Sequence, residues 1–355
     1  MTIYFVTNGI NRMAGTERVI VQLAQALEDV IILVPGSEQC AFSGCENLNI
    51  QSLEVGEFPT HNKLAKIIHR LNYFRKLKSI LKRNDTVVSF SFDLNLVNIR
   101  LSKILNYTPI VCEHIEYNYH KGIRNLIRKK FYSQDTVTLV CLTETDKRKF
   151  LNDGIRTLVI PNFIHPLDSK YNSESKKILS IGRLEFQKNF AFLIEAFHLS
   201  KIYENGWVLD IVGEGSEQKE LEEKIKLLNM NEFIRIHPFT KNISKYYQNS
   251  ALMCMTSRFE AFPMVLLEAM NNSLPVLVSD FPTGAREILG EGNTQIVSDY
   301  TPEAFAKLLA SFCLDENLRK TLSKQNSELI RKYYPEQIIQ SWKELLEQKA
   351  KKGFV

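Results

Sequence analysis

Ser257-Arg-Phe-Glu260-Ala261-Phe262-Pro263-Met264-Val265-Leu-Leu-Glu268-Ala-Met270 runs into Leu274-Pro-Val-Leu-Val-Ser-Asp280 and then Pro282-Thr-Gly-Ala-Arg-Glu-Ile-Leu289. Two carboxylates, Glu260 and Glu268, stand eight positions apart. Between them Phe262-Pro263 offers a helix start, because proline fits a first turn whose N–H groups have no intrahelical partner. The apolar run from Met264 would pack that helix and place Glu268 about two turns along it. Free amides at a helix N-terminus bind phosphate, and a carboxylate beside them suits sugar hydroxyls. One segment could hold a sugar, a phosphate and a ribose together. The plainer alternative is a surface helix with two solvated glutamates.

Outward from this stretch, β-rich runs alternate with helical patterns. In the first half strands are expected at 2–7, 30–34, 86–90, 109–113 and 136–142, and helices at 16–28, 62–82, 94–105, 122–133 and 144–152. A polar break at 161–176 reads as a linker. Strands then follow at 177–182, 207–212, 233–237, 250–255 and 275–279, with helices at 188–201, 216–228, 242–249 and 263–271. The tail, 302–350, reads as helical throughout. Such alternation predicts parallel sheets with helices on both faces. Continuously apolar runs such as Val30-Ile-Ile-Leu-Val34 suit strands covered on both sides.

The 355 residues favour two domains over one, and 44% hydrophobic with 24% charged residues is the balance of a globular protein. No apolar run reaches the length of a membrane span. The N-terminus reads as a first strand, without the basic start of a signal peptide. Six cysteines are scattered with no Cys-x-x-Cys, which suggests reduced, mostly buried thiols in the cytoplasm. A metal site is not expected, and Asp-x-Asp is absent from the chain. Residues 1–170 carry 22 Lys and Arg against 16 Asp and Glu, whereas the remainder carries 23 against 24. The excess positive charge therefore lies wholly in the N-terminal half.

Other constellations could carry chemistry. Gly182-Arg183 ends a strand, and Lys188 follows across a short loop. An arginine fork and a lysine point charge together would neutralise a diphosphate, or simply form structural salt bridges. Asp210-Ile-Val-Gly213-Glu-Gly215 lacks the third glycine of a dinucleotide fingerprint, which disfavours a dehydrogenase. Gly15 precedes a helix expected from Thr16, so its backbone could face a phosphate or merely make a turn. His114 follows the strand 109–113 at the end where α/β sheets bind ligands. The segment His61–Arg83 carries Lys63, Lys66, Arg70, Arg75, Lys76, Lys78, Lys82 and Arg83 and no acid. Apolar residues from Leu64 to Leu81 recur there at helical spacing, giving a basic amphipathic helix. Its charge is either a solvated face over a core stripe or an attachment to an anionic membrane or lipid diphosphate. Lys121, Arg124, Arg128, Lys129 and Lys130 form a second basic stretch. Nucleic acid is not expected, since no aromatic platform accompanies the charge.

Glu260-Ala-Phe-Pro through Glu268-Ala-Met, with Leu274-Pro-Val after it, resembles the retaining family-4 glycosyltransferases of the GT-B fold, of the bacterial surface-polysaccharide type. Gly182-Arg183 with Lys188 matches that family's Gly-Arg-x4-Lys. Asn8–Arg18 resembles its first loop, and Val159-Ile-Pro161-Asn162 its hinge. The chain departs at Ala261, Asn272-Ser273, Ala14 and Phe163, where the family often has Gly, Cys-Gly, Gly and Gly. The resemblance spans about residues 2–350. It implies an α/β GT-B fold: two Rossmann-like domains, 1–165 and 166–334, face across a cleft, with a C-terminal helix at about 335–350 crossing back to the first. It implies transfer of a sugar from a nucleotide-sugar, UDP-linked, with retention and without metal or cofactor. Arg183 and Lys188 would meet the β-phosphate, Glu260 and His114 the sugar, and Glu268 the ribose. Gly15, Gly213, Phe239, Ala261, Phe262, Met264 and Val265 would line the donor, and Asn162 lies at the hinge. With the basic first domain, it implies a lipid-linked saccharide acceptor at the inner face of an anionic membrane, the enzyme being cytoplasmic or peripheral. A UDP-sugar epimerase or hydrolase on the same fold, or a non-catalytic binding partner, are the alternatives.

Overall fold

The computed structural model describes residues 2–27, 29–57 and 62–352. The chain forms two compact units, Met1–Phe163 with Pro335–Val355, and Ile164–Tyr334.

The first unit comprises β1 (Ile3–Val6), α1 (Gly15–Leu27), β2 (Val30–Val34), β3 (Asn49–Ser52), α2 (Lys63–Ile80), β4 (Thr86–Ser89), α3 (Phe92–Leu105), β5 (Thr108–Cys112), α4 (Gly122–Tyr132), β6 (Thr138–Cys141), α5 (Glu144–Asn152) and β7 (Thr157–Val159). Its seven strands are all parallel in the order β3-β2-β1-β4-β5-β6-β7. The strands not anticipated, β3 and β7, are the two edges. An edge strand is covered on one side only, so its residues need not be apolar, and Asn49-Ile-Gln-Ser52 is not.

One face of this sheet packs Tyr4, Val6, Leu33 and Val87 against Tyr73, Leu77 and Leu81 of the α2 segment and Leu94 and Leu101 of α3. Another cluster gathers Ile99, Val111, Tyr132, Leu139 and Phe150. Asn62 caps α2 by accepting from the amides of Leu64 and Ala65, and Thr143 caps α5 through the amide of Asp146.

The second unit comprises β8 (Lys177–Ile181), α6 (Phe190–Ser200), β9 (Val208–Val212), α7 (Gln218–Leu227), β10 (Ile234–His237), α8 (Ser244–Gln248), β11 (Leu252–Met255), α9 (Met264–Asn271), β12 (Val276–Ser279), α10 (Gly284–Leu289), β13 (Ile296–Val297), α11 (Pro302–Leu314) and α12 (Glu316–Leu329). Its sheet is parallel, in the order β10-β9-β8-β11-β12-β13. Phe190, Phe197, Trp207, Phe305 and Phe312 dominate its core. The short α10 and the two-residue edge β13 were not anticipated.

The tail is not continuous helix. Asp315 breaks it by taking an extended backbone and capping α12 through the amide of Leu318. A tight turn at Ile330–Tyr333 ends α12 before α13 (Pro335–Lys352). As the fold class requires, α13 belongs to the first unit: Ile338, Trp342, Leu345 and Leu346 are buried, and the helix packs on α1 and β4.

Two further readings are corrected. Cys112, Cys141, Cys254 and Cys313 are free and buried, but Cys40 and Cys45 are disulfide-bonded. The turn between them brings their Cα atoms to 6.3 Å, within reach of a bridge. The apolar spacing of α2 does not form one core stripe. Tyr73 and Leu77 are buried, whereas Leu64, Ile67, Ile68 and Leu71 are exposed.

Candidate functional site

In the second unit, two glycines let backbone approach backbone where strands end, and a third lets a side chain lie across it. A Cβ on Gly213 would lie 1.9 Å from the carbonyl oxygen of Gly182, and one on Gly215 would lie 2.3 Å from that of Leu184. Neither position tolerates a side chain. The loops after β8 and β9 are thus pressed together, with Gly182 and Leu184 donating to the carbonyls of Val212 and Glu214. Gly182 also lies under the stem of Lys188, whose Cε is 2.9 Å from a notional Cβ. Gly215 had no assigned role in the sequence.

Lys188 is thereby aimed. Its Nζ donates to Glu260 Oε1 at 2.6 Å, and both side chains are largely buried. Ser257 Oγ donates to the same oxygen at 2.9 Å. The structure thus joins two residues that the motifs only placed in one chain. Arg183, on the same loop, is exposed.

Arg258 fastens this loop from below. Its Nε donates to the Phe186 carbonyl and its Nη2 to Asn189 Oδ1, and its guanidinium lies 4.3 Å over the Phe186 ring. Its own amide donates to the Gln187 carbonyl. Asn189 takes a left-handed backbone, φ 52°, and its amide group reaches Tyr300 Oη. Arg258 stands two places before Glu260, yet only the fold shows what it touches.

Glu260 leads into α9, which begins at Met264, one residue after the expected start at 263. Pro263 is the residue before the helix, with an extended backbone. Phe262 is buried against Tyr333, their ring centroids 5.3 Å apart. Met264 and Val265 provide first-turn amides without intrahelical partners. Glu268 is the fifth helical residue, so it sits just over one turn along, not two. Its Oε2 accepts from the buried Tyr247 hydroxyl at 2.8 Å. No spacing in the chain signalled Tyr247, which comes from α8.

Ala261 does not have positive φ, so the missing glycine costs nothing there. The strain lies opposite, at Thr283, with φ 73° and ψ −66°. Gly284 N–H donates across it to the Pro282 carbonyl, closing a γ-turn of the rarer hand, which is uncommon for a β-branched residue. The Thr283 hydroxyl donates to the carbonyls of Glu260 and Ala261. Gly284 presses on Pro263 and Ala261 where a Cβ would not fit. This turn holds the approach to α9 from the far side.

The Phe239 ring is exposed, and its amide donates to Glu214 Oε1. Gly213 donates to the His237 carbonyl. Residues 182–189, 213–215, 257–268 and 283–284 are therefore one constellation.

Gly15, His114 and Asn162 lie in the first unit. Gly15 is the first residue of α1, and Asn162 is buried. His114 follows β5, its Nδ1 sealed from water without a partner. Burial pushes its pKa down to about 4, so the imidazole is neutral near pH 7. Beside it, buried Glu113 accepts from Tyr132 Oη at 2.6 Å, and burial raises its pKa to about 7. The basic residues Lys66, Arg70, Arg75, Lys76 and Lys78 lie on α2, with Lys82 and Arg83 beyond its end. The Lys63 side chain lies outside the described residues. No group of three or more His, Cys, Asp or Glu suited to a metal occurs among the described residues.

Residues 165–329 match the family model described as Glycosyl transferases group 1. The chain is 29% identical over 363 residues to an amylovoran biosynthesis glycosyltransferase of Erwinia amylovora, covering 96% of this chain and 97% of that one. It is 27% identical, with 98% of each covered, to a Campylobacter jejuni alpha-1,4-N-acetyl-D-galactosaminyltransferase named for a GalNAc-GalNAc-diNAcBac-PP-undecaprenol acceptor. Its fold matches that of Anabaena Alr3699/HepE in complex with UDP and glucose at a TM-score of 0.80, with 18% identity and 98% and 99% coverage. The fold is GT-B, and the second unit carries a group 1 glycosyl transferase domain.

Proposed function

We propose that this glycosyltransferase moves a sugar from a UDP-sugar to a hydroxyl of a lipid-linked saccharide, with retention of anomeric configuration. It resembles family 4 in this reading and works in bacterial surface-polysaccharide synthesis. The observation that carries the proposal is the constellation around α9. Lys188 is held against Glu260 just ahead of α9, Arg183 stands on the loop that carries Lys188, and Glu268 lies on α9 itself, bonded to Tyr247.

Each residue has a task. Arg183 and Lys188 take up charge developing on the β-phosphate as the glycosidic bond breaks, and the amides of Met264 and Val265 add donors. No metal or cofactor is required for that work. Glu260 accepts from hydroxyls of the donor sugar. It now holds Lys188, so donor binding exchanges this ion pair for a phosphate contact and a sugar contact. Glu268, oriented by Tyr247, accepts from the ribose. Gly213 and Phe239 meet the nucleotide end. His114, kept neutral by burial, Gly15 and Asn162 keep in this reading the roles that the family resemblance gives them. Retention without an enzymic nucleophile leaves the departing phosphate to accept the acceptor proton.

The acceptor class is supported by the relative named for an undecaprenyl diphosphate saccharide. No described helix is long and apolar enough to cross a membrane, so such an acceptor would be reached from the bilayer surface, on the cytoplasmic side.

The test is a nucleotide-sugar panel screened by thermal shift and UDP release, wild type beside Arg183→Ala and Glu260→Ala. One UDP-sugar should stabilise the wild type and release UDP slowly in the presence of chelator, and both variants should lose turnover. Failure of every nucleotide and nucleotide-sugar to stabilise the protein would refute the reading.

A further inference from the structure

Thr283 sits where a glycine would be at ease. Its φ of 73° and ψ of −66° belong to a turn that L side chains rarely enter, β-branched ones least of all. A residue stays in such a conformation only where its surroundings over-determine it, and residues so held gather at working sites. Here the turn is braced across its mouth. Asp280, just before it, accepts from Nε and Nη2 of Arg286, just after it, and Arg286 Nη1 donates to Glu291. A planar guanidinium set on a carboxylate in this way closes residues 281–285 into a fixed loop. Phe281 is buried within it, its ring 3.3 Å from a notional Cβ on Gly284.

What this loop holds is the chain at Glu260. A β-bridge pairs Thr283 with Glu260, and the Thr283 hydroxyl donates to the carbonyls of Glu260 at 3.0 Å and Ala261 at 3.3 Å. Ser279 Oγ, at the end of β12, donates to the Ser257 carbonyl at 3.1 Å. Gly284 closes on the Ala261 carbonyl and the Pro263 ring. Residues 257–263 are thus gripped through their backbone by 279–284. The Glu260 carboxylate is held separately, by Lys188 and Ser257. Lys188 is the contact that donor binding removes. From then on the carboxylate depends on the Ser257 hydroxyl and on the backbone anchor at Thr283.

We propose that Thr283 is a positioning residue for sugar transfer: its hydroxyl, delivered by a strained turn, keeps Glu260 on the donor sugar once Lys188 has turned to the phosphate. Glycine would make the same turn without strain but would bring no hydroxyl. Valine has the shape of threonine without the hydroxyl, and serine has the hydroxyl without the methyl group. The proposal rests on the reading of Glu260 as the group that accepts from the donor sugar.

The experiment compares Thr283→Val, Thr283→Gly and Thr283→Ser with wild type, in the full chain. UDP release from the UDP-sugar that wild type uses gives turnover, and calorimetry gives UDP affinity. The valine and glycine variants should each lose about tenfold or more in kcat, because a displaced carboxylate no longer meets the sugar in the transition state. UDP carries no sugar for Glu260 to hold, so it should bind both variants within about twofold of wild type. Thr283→Ser should restore kcat to within about threefold of wild type. Glycine is unstrained at this φ, so Thr283→Gly carries the test if the valine variant fails to fold.

Unchanged turnover in Thr283→Val or Thr283→Gly, with wild type active, would overturn this proposal alone. A serine variant as slow as the valine variant would do the same. Parallel loss of turnover and UDP affinity would also overturn it, because Thr283 would then support the α9 amides and not Glu260 in particular. A wild type that releases UDP from no UDP-sugar would refute the transferase reading, and the role of Thr283 would fall with it.

Discussion

Lys188→Met tests the centre of the site. Methionine keeps the stem across Gly182 but removes the ammonium 2.6 Å from Glu260. Glu260 then keeps only the Ser257 hydroxyl, on a carboxylate that is largely buried. Stranding one member of a buried pair costs about 3 kcal/mol. Glu260→Gln leaves Lys188 a neutral acceptor, and about 2 kcal/mol is expected. The double variant leaves no buried charge and should cost no more than about 3 kcal/mol, so the cycle should show a coupling of about 2 kcal/mol. Urea melts of the four proteins, followed by a probe in the second unit, measure it. Because little of the pair faces solvent, the coupling should change little with added salt. Additive costs would refute the argument, because residues truly paired in this geometry cannot be independent. The same variants bear on function. If Lys188 must leave Glu260 to meet a phosphate, Glu260→Gln frees it. UDP should then bind that variant at least as tightly as wild type, while turnover is lost.

Two further outcomes are expected. Burial holds the Glu113 pKa near 7, so between the ordinary carboxylate range and neutrality the native state keeps a proton the unfolded chain has released, and stability falls as pH rises. Glu113→Gln should therefore gain about 3 kcal/mol on wild type between about pH 5 and pH 8, read from urea midpoints. His114, lowered from 6.5 to about 4, acts oppositely: the unfolded chain takes up the proton first, so stability rises with pH between about 4 and 6.5, a slope the variant should unmask. Parallel pH curves for wild type and Glu113→Gln would exclude this account. Arg258→Ala should weaken UDP binding roughly tenfold by freeing the loop that carries Arg183 and Lys188, and Arg258→Lys should not restore it, since lysine lacks the planar fork; calorimetry with UDP decides.

Much of the fold was legible because parallel strands covered on both faces are continuously apolar. Val30–Val34 and Val276–Ser279 announce themselves that way. The missed strands β3, β7 and β13 are all edges, where one flank faces no neighbouring strand and polarity or brevity is allowed. The broken tail was missed because Asp315 caps a helix in a stretch whose helical propensity hardly dips. The site was legible where chemistry is written in consecutive residues, as from Glu260 to Glu268. It was not legible where a partner arrives from a distant element. Tyr247 reaches Glu268 from another helix, and Thr283 reaches Glu260 across a bridge between strand ends.

Alternation and spacing say which residues share a face, but not whether that face is covered. In α2 Tyr73 and Leu77 serve the core on one side of the helix, whereas Leu64 and Leu71 lie on the opposite side and point outward. In α4 the period reports the outer face, and the buried residues are an arginine and a tyrosine. The Arg128 guanidinium sits on the inner face over two aromatic rings and within the field of the buried Glu113. Those groups come from other elements, and nothing within 122–132 encodes them. A helix read alone would be turned the wrong way round. The same inversion leaves Ile123 and Leu126 exposed to water.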